Sequence, residues 1–460
     1  MALEHLESAE RLPFAAVDRT LGQRVRLDQR GAMLASALDR PWQAATLLDV
    51  LAESGLRLSP ELLVRFVRFL DAHYLLQGER SAKHIAAVHA ADAQKTQPSA
   101  AITFLPGTSH NCVACGASCA GHDVGPIANE QVATIRERIP LARFLTRRTN
   151  DAATSGQYCA MESDACTFLR KDRLCSIHAQ LGMASKPTDC RVFPLAFTST
   201  PDGVLAGLRL ECRSYLESKR NGGHLEARQE ELAALLAEVG PINEVAPLVR
   251  LDGTLTVPWS DYVAFEATLM ARPVESVVWS GLQSLNRTVA QWVQRTREDE
   301  QEAWVFPPDA PDPPRGDRQE LVEALIRACT SAARMNAAAG NTLRAERLER
   351  VAAAAERLCE GSLPALRLDA DENELLYDHL QQTLFLKDPL VGPHLRFGMG
   401  LLNLSVLLAV SGRELAGGLN AALADALKAL RTGPVLGPLH EMDETVAFWL
   451  HDQLDTWLRN

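Results

Sequence analysis

Ten cysteines are present, and eight of them lie between Cys112 and Cys212. No other feature constrains the chain as strongly. The start, MALEHLESAE, is acidic and lacks an apolar core segment, so no secretory signal is visible and a cytoplasmic location is expected. In a reducing compartment, clustered cysteines more often bind metal or do redox chemistry than form structural disulfides. The bland alternative is a set of buried free thiols, and eight in one stretch argue against it.

The remaining composition is that of a globular protein. The chain has 460 residues, 47% of them hydrophobic and 23% charged. At roughly 100–200 residues per domain this gives about three domains. The net charge of −11 argues against non-specific nucleic-acid binding, which needs a basic face. Residues 101–220 run against the trend, with 14 Lys and Arg to 11 Asp and Glu. The longest apolar stretch, Gly398 to Val410, contains Asn403 and Ser405. It falls short of the ~20 residues a membrane-spanning helix needs, so no membrane association is expected.

The fold class expected is mainly α in three parts. Residues 1–95 read as a winged-helix-like module. Gln23 to Asp28 alternates as a strand does, Gly31 follows as a turn, and helices are expected over 31–38, 41–54 and from Ser59-Pro60 onward. Leu62, Leu63, Phe66, Val67, Phe69 and Leu70 give the last helix an apolar face. Its only cations are Arg65 and Arg68, too few for DNA recognition. Residues 81–100 read as a helix and linker. Residues 96–222 form an irregular cysteine-rich, metal-binding domain, with one clear helix over 129–139. Residues 223–460 are a helical region interrupted by a Pro-rich linker at 306–316. Beyond it, helices expected over 318–339, 342–360, 371–386, 394–410, 413–430 and 441–457 pair as a bundle.

The cysteine block opens with Cys112-Val-Ala-Cys115-Gly-Ala-Ser-Cys119. Two cysteines three apart across a small turn can place both thiolates on one metal. Cys159, Cys166, Cys175 and Cys190 follow, and Cys212 closes the set. All eight are candidate ligands. Thiolates suit either iron–sulfur clusters or zinc. The spacing from Cys112 is two residues and then three, the reverse of a CxxxCxxC start. No G-x-G-x-x-G and no phosphate-binding loop is present.

The string Cys166-Thr-Phe-Leu through Cys175-Ser-Ile-His178, followed by Lys186-Pro187-Thr-Asp-Cys190-Arg191-Val-Phe193-Pro194, resembles the zinc- or iron-chelating cysteine-cluster family, CxxCxxCC or YkgJ-like. The resemblance covers about 112–215. It departs from the family at the cysteine doublet, where this chain has Ser118-Cys119, and Cys159 is an additional cysteine. The closest full-length layout is the flagellin lysine-N-methylase branch, which joins such a block to a long helical part. Arg209-Leu-Glu-Cys212 and Leu375 to Leu407 are similar to that branch. The resemblance implies a [4Fe–4S] cluster and S-adenosylmethionine-dependent methyl transfer to protein lysine. The alternative is a non-catalytic zinc- or iron-chelating module. Residues 1–80 weakly resemble small winged-helix domains that hold peptide substrates, which implies a protein or peptide partner.

Arg191, His122 and His178 are candidates to orient or hydrogen-bond the metal-ligating cysteines from behind. Arg191 offers a donor to cluster sulfur or a structural salt bridge; the histidines are as readily core or surface residues as ligands. Phe168, Leu169, Phe193 and Phe197 are expected as a dry wall around the site. Tyr158, Glu162 and Asp164 are candidates to deprotonate a lysine amine, with plain loop surface as the alternative. Arg143, Arg147 and Arg148 read as a solvated basic run or as partners for a cofactor carboxylate. Cys329 and Cys359, on Ala-rich helices, read as core thiols.

Overall fold

The computed structural model describes residues 2–5, 14–18, 23–27, 29–38, 40, 42–72, 75–78, 82, 85–86, 102–120, 124–148, 155–252, 255–270, 278–301, 317–359, 368–452 and 454. Most of 81–100 and the Pro-rich linker at 306–316 lie outside them. The fold is mainly helical with few short strands. The chain divides into two compact units: residues 1–100 with 246–264, and residues 101–245 with 265–460. The cysteine block and the C-terminal helices therefore share one unit.

The first unit begins with three antiparallel strands, β1 (Ala2–His5), β2 (Phe14–Asp18) and β3 (Gln23–Leu27), in that order across the sheet. Only β3 is visible as clean alternation in the sequence. Helices α1 (Gln29–Ala37), α2 (Ala44–Glu53) and α3 (Pro60–Ala72) follow. Gly31 lies inside α1 rather than in a turn before it. Ser59 caps α3 as expected, its hydroxyl accepting from Leu62 N–H at 3.2 Å. Ala16, Leu27, Ala32, Ala35, Leu70 and Leu75 form one core cluster, and Leu34, Leu47, Leu51, Leu56 and Leu63 a second. Leu62, placed on the expected apolar face, is exposed. The side chains of Arg65, Arg68 and Phe69 lie outside the described residues.

The second unit is organised around a buried helix, Leu395–Ser411. Arg318–Ala338 and Thr342–Cys359 form an antiparallel hairpin, and Gly340 turns the chain between them at φ 77°. Gly398 lets the buried helix press on the Pro389 backbone: a Cβ there would lie 2.2 Å from its carbonyl oxygen. Three of the helix's polar side chains find partners, as burial demands, although Asn403 Oδ1 is left without one among the described residues. Asn403 donates to the Leu450 carbonyl at 2.6 Å, Ser405 bonds His379 Nε2 at 2.9 Å, and Ser411 donates to the Ala354 carbonyl at 2.9 Å. The helix expected over 413–430 is two, Arg413–Ala416 and Leu419–Leu430, parted by Gly417 and Gly418 at positive φ. A helix at Gly433–Glu441 was not expected.

A four-stranded sheet adjoins the helices. Its centre is the antiparallel hairpin Leu195–Thr200 with Gly203–Leu208, flanked by Asn243–Glu244 and Ile102–Phe104, both parallel. Gln382, on helix Ala370–Phe385, accepts from Leu208 N–H and donates to Thr108, both at 2.9 Å. Thr198 donates to the Leu386 carbonyl at 2.9 Å. These bonds lock the strand segment that precedes Cys212 onto the helical layer. Among the described residues no helix is long and apolar enough to cross a membrane.

Candidate metal centre

Each cysteine is delivered by a separate local device. Gly116 adopts φ 69° and opens the short turn Ala117–Cys119. A Cβ at Gly116 would meet Arg173 Cβ at 3.1 Å and Leu169 Cδ1 at 3.3 Å, so glycine lets the first loop close on the 166–175 loop. Ala120 bridges Ala165, which brings Cys119 beside Cys166. Cys159 ends the strand Ser155–Cys159, paired across from Phe144.

A two-residue hairpin then reverses the chain. Met161–Glu162 pairs with Ala165–Cys166, with Ser163 and Asp164 at the corner at φ 50° and 59°. Two positive-φ corner residues match the twist of the flanking strands. They are not glycines, so the conformation must be held from outside. Asp164 supplies that hold. Its buried carboxylate accepts from the Arg344 backbone N–H at 2.8 Å and pairs with the Arg344 guanidinium at 3.1 Å.

The loop from Cys166 returns on itself, where Leu169 bridges Cys175 and Ser176 N–H donates to Phe168 at 2.8 Å. Asp172 steadies it by accepting from Leu174 N–H at 3.1 Å. Cys190 sits on the short helix Thr188–Val192, which starts after Pro187 and is tied down by Asp189 accepting from Gly125 N–H at 2.9 Å.

The thiols form one connected assembly. Ionisation of Cys119 and of Cys190 is opposed by Cys166 and Cys175 and, for Cys190, by Cys119, and that of Cys159 by Cys166, Cys175 and Cys190. Cys212 lies within electrostatic range of Cys115 and Cys112, and Cys119 of Cys112. Val124, Ile127, Val132, Ile135, Phe168 and Ile177 wall the inner set. Burial pushes the Cys190 thiol up to about 12 and Cys119 to about 11, with Lys186 pulling both the other way. Cys159 is raised by donating its hydrogen to Cys166 and by burial. Cys166 is lowered by that bond, against its burial, and by the Phe168 N–H and Lys186. Burial likewise raises Cys212.

The donor set is thus soft, anionic when ionised and set beside a cation, which fits a thiolate-ligated metal. Buried thiols resist ionisation until a cation arrives. Among the described residues, no group of three or more His, Cys, Asp or Glu side chains is arranged to hold a metal ion as it stands. Ligation therefore requires the sulfurs to draw together.

Several residues singled out in the sequence sit elsewhere. Arg191 pairs with Glu238 and donates to the Lys186 carbonyl at 3.1 Å; it staples the Cys190 helix and does not reach sulfur. His178 is exposed on the helix Ser176–Leu181. His122 lies outside the described residues, as do the side chains of Arg147, Arg148 and Cys359. Asp164 is a buried anchor rather than a base, and exposed Glu162 faces Arg143 at 3.8 Å. Phe168 lines the site, whereas Phe197 belongs to the four-stranded sheet. Phe193 lies under Lys428, its ring 5.9 Å from Nζ. Cys329 is a fully buried core thiol, pushed up to about 12 by burial. Lys186 acts on Cys119, Cys166 and Cys190, and its only signal in the sequence is its place four residues before Cys190.

Comparison with known proteins returns nothing: no family model, no curated protein and no solved structure matches the chain.

Proposed function

We propose that the cysteine assembly holds an iron–sulfur cluster, with Cys119, Cys166, Cys175 and Cys190 as its four donors. One observation carries this reading: thiols from separated segments, Cys119, Cys166, Cys175 and Cys190, come within electrostatic reach of one another, with Lys186 acting on Cys119, Cys166 and Cys190. Four cysteine thiolates are what a [4Fe–4S] cluster takes. Cys159 backs this set by its hydrogen bond to Cys166, while Cys112, Cys115 and Cys212 form an adjoining outer group. Such a cluster, when bound, would supply the chemistry for S-adenosylmethionine-dependent methyl transfer to a protein lysine, which the likeness to the flagellin lysine-N-methylases implies. The chain's own residues would exclude water through the Phe168 wall, and Lys186 would offset the cluster's negative charge.

The three-stranded sheet and three helices of the N-terminal unit are read as a winged-helix-like module that presents the protein or peptide substrate. The central block is the cysteine-rich metal-binding part and the remainder a helical bundle. A second reading, a closed zinc- or iron-chelating module without catalysis, draws on the packing of Cys159, Cys166, Cys175 and Cys190 into the hydrophobic core of the block.

The test is replacement of the inner donors. Cys190→Ser and Cys166→Ser should each lose bound metal, while Cys329→Ser keeps it. Full metal content in both inner variants would overturn the assignment.

A further inference from the structure

A second concentration of charge lies beside the cysteine block and is not used by it. Asp425, on the Leu419–Leu430 helix, is 3% exposed and holds three guanidinium groups: Arg213 at 3.1 Å, Arg347 at 3.3 Å and Arg350 at 2.8 Å. Nearly two turns further on, just past the helix end, Arg431 pairs with Glu211 and, at 2.9 Å, with Asp388. Arg209 stands close to Arg431, Asp388 and Glu211. Lys428 lies between the two groups, near Arg347, Glu211, Asp425 and Arg213.

Six cations thus converge on three carboxylates, Glu211, Asp388 and Asp425. Like charges crowded into a partly dry site repel unless a counter-charge joins them. Burial and the neighbouring arginines draw Lys428 down to about 8, against the pull of Glu211 and Asp425. The Nε–H groups of Arg209 and Arg213 are buried and have no acceptor among the described residues. The site is reachable: the side chains of Arg213, Arg350 and Arg431 are 31%, 26% and 33% exposed.

We propose that this cluster binds the oxyanion group of a small ligand, a phosphate or a carboxylate, with Arg209, Arg213, Arg350 and Lys428 as its donors. Guanidinium forks match both groups in a bidentate manner. Phe193, under Lys428 and three residues after Cys190, would place the bound anion next to the cysteine block. The inference uses no metal and stands apart from the cluster reading.

The full chain is titrated with inorganic phosphate and, separately, with malonate, at ionic strength held constant with sodium chloride. Binding is followed by calorimetry and by the melting temperature. At least one of the two anions should bind saturably and raise the melting temperature. Arg350→Gln and Lys428→Gln should each weaken that binding by at least about tenfold. Arg220→Gln, which removes a cation paired with Asp371 on the helix Ala370–Phe385, should not change it. Binding of phosphate alone identifies a phosphorylated ligand; binding of malonate alone identifies a carboxylate ligand. Lys428→Gln decides the matter if Arg350→Gln fails to fold. A response that never saturates for either anion, or saturable binding unchanged by the variants, overturns the proposal.

Discussion

The thiols of Cys159 and Cys166 are coupled through a hydrogen bond in which the Cys159 proton is the harder to remove, across a hairpin whose corner is Ser163-Asp164. That bond joins two local devices: the strand pairing that buries Cys159 and the turn that brings Cys166 back beside it. The turn's strained corner is held by Asp164 through Arg344, which lies at the start of the Thr342–Cys359 helix. Thiol placement in the block thus depends on a carboxylate anchored to a distant helix.

Asp164→Ala should therefore act on stability and metal together. Removing one partner of a buried ion pair costs about 3–5 kcal/mol. Chemical denaturation should show a loss of that size, and the folded fraction should retain less metal. Unchanged stability with lost activity would instead restore Asp164 as a catalytic base.

Lys186 and Arg191 should part company. Lys186→Gln removes the cation nearest Cys119, Cys166 and Cys190. Losses of outer-shell partners typically cost 10–100-fold in metal affinity, and a competition titration with a chelator should find a drop of about that size. Arg191→Gln leaves the sulfurs' surroundings in place and should lower affinity far less. The opposite order would return Arg191 to the sulfur side.

Cys329→Ser should keep all metal yet cost stability. Cys329 is fully buried among helices, and an added hydroxyl there without a partner costs about 1–3 kcal/mol. Denaturant midpoint and metal content together check this. Metal loss at unchanged stability would make Cys329 a ligand.

Stability should fall between pH 6.5 and pH 4. His379 is buried between Ser405 and Thr383, and burial lowers it from 6.5 to about 3, with Arg431 adding to the effect. The unfolded chain takes up a proton on this histidine below pH 6.5, while the folded chain does not. Stability is thus present above 6.5 and is lost as pH falls. By pH 4 the loss reaches about 3 kcal/mol. His379→Gln should flatten that part of the pH profile; an unaltered slope would show that His379 is protonated in the folded protein.

Local signals were legible and long-range ones were not. Alternation over Gln23–Leu27, the Ser59-Pro60 cap and the Gly340 turn each read directly because neighbouring residues fix them. The strand Phe14–Asp18 alternates too weakly to stand out, since two of its five residues are alanine. The run 413–430 kept helical spacing across Gly417-Gly418, where positive φ breaks it. In the block, cysteine spacing announced a soft-donor site, but its inner and outer groups depend on turns that carry no motif. Asp164 looked like loop surface because its partner lies 180 residues away. Arg431 and Glu211, 220 residues apart, left no trace in the sequence for the same reason.

The most direct test of the central claim is iron, zinc and acid-labile sulfide content, with visible and EPR spectra, on full-length protein purified without oxygen. The iron–sulfur reading requires about four irons and four sulfides per chain, with broad absorption near 400 nm. Stoichiometric zinc in a colourless protein without sulfide would contradict it and leave a structural or chelating thiol site.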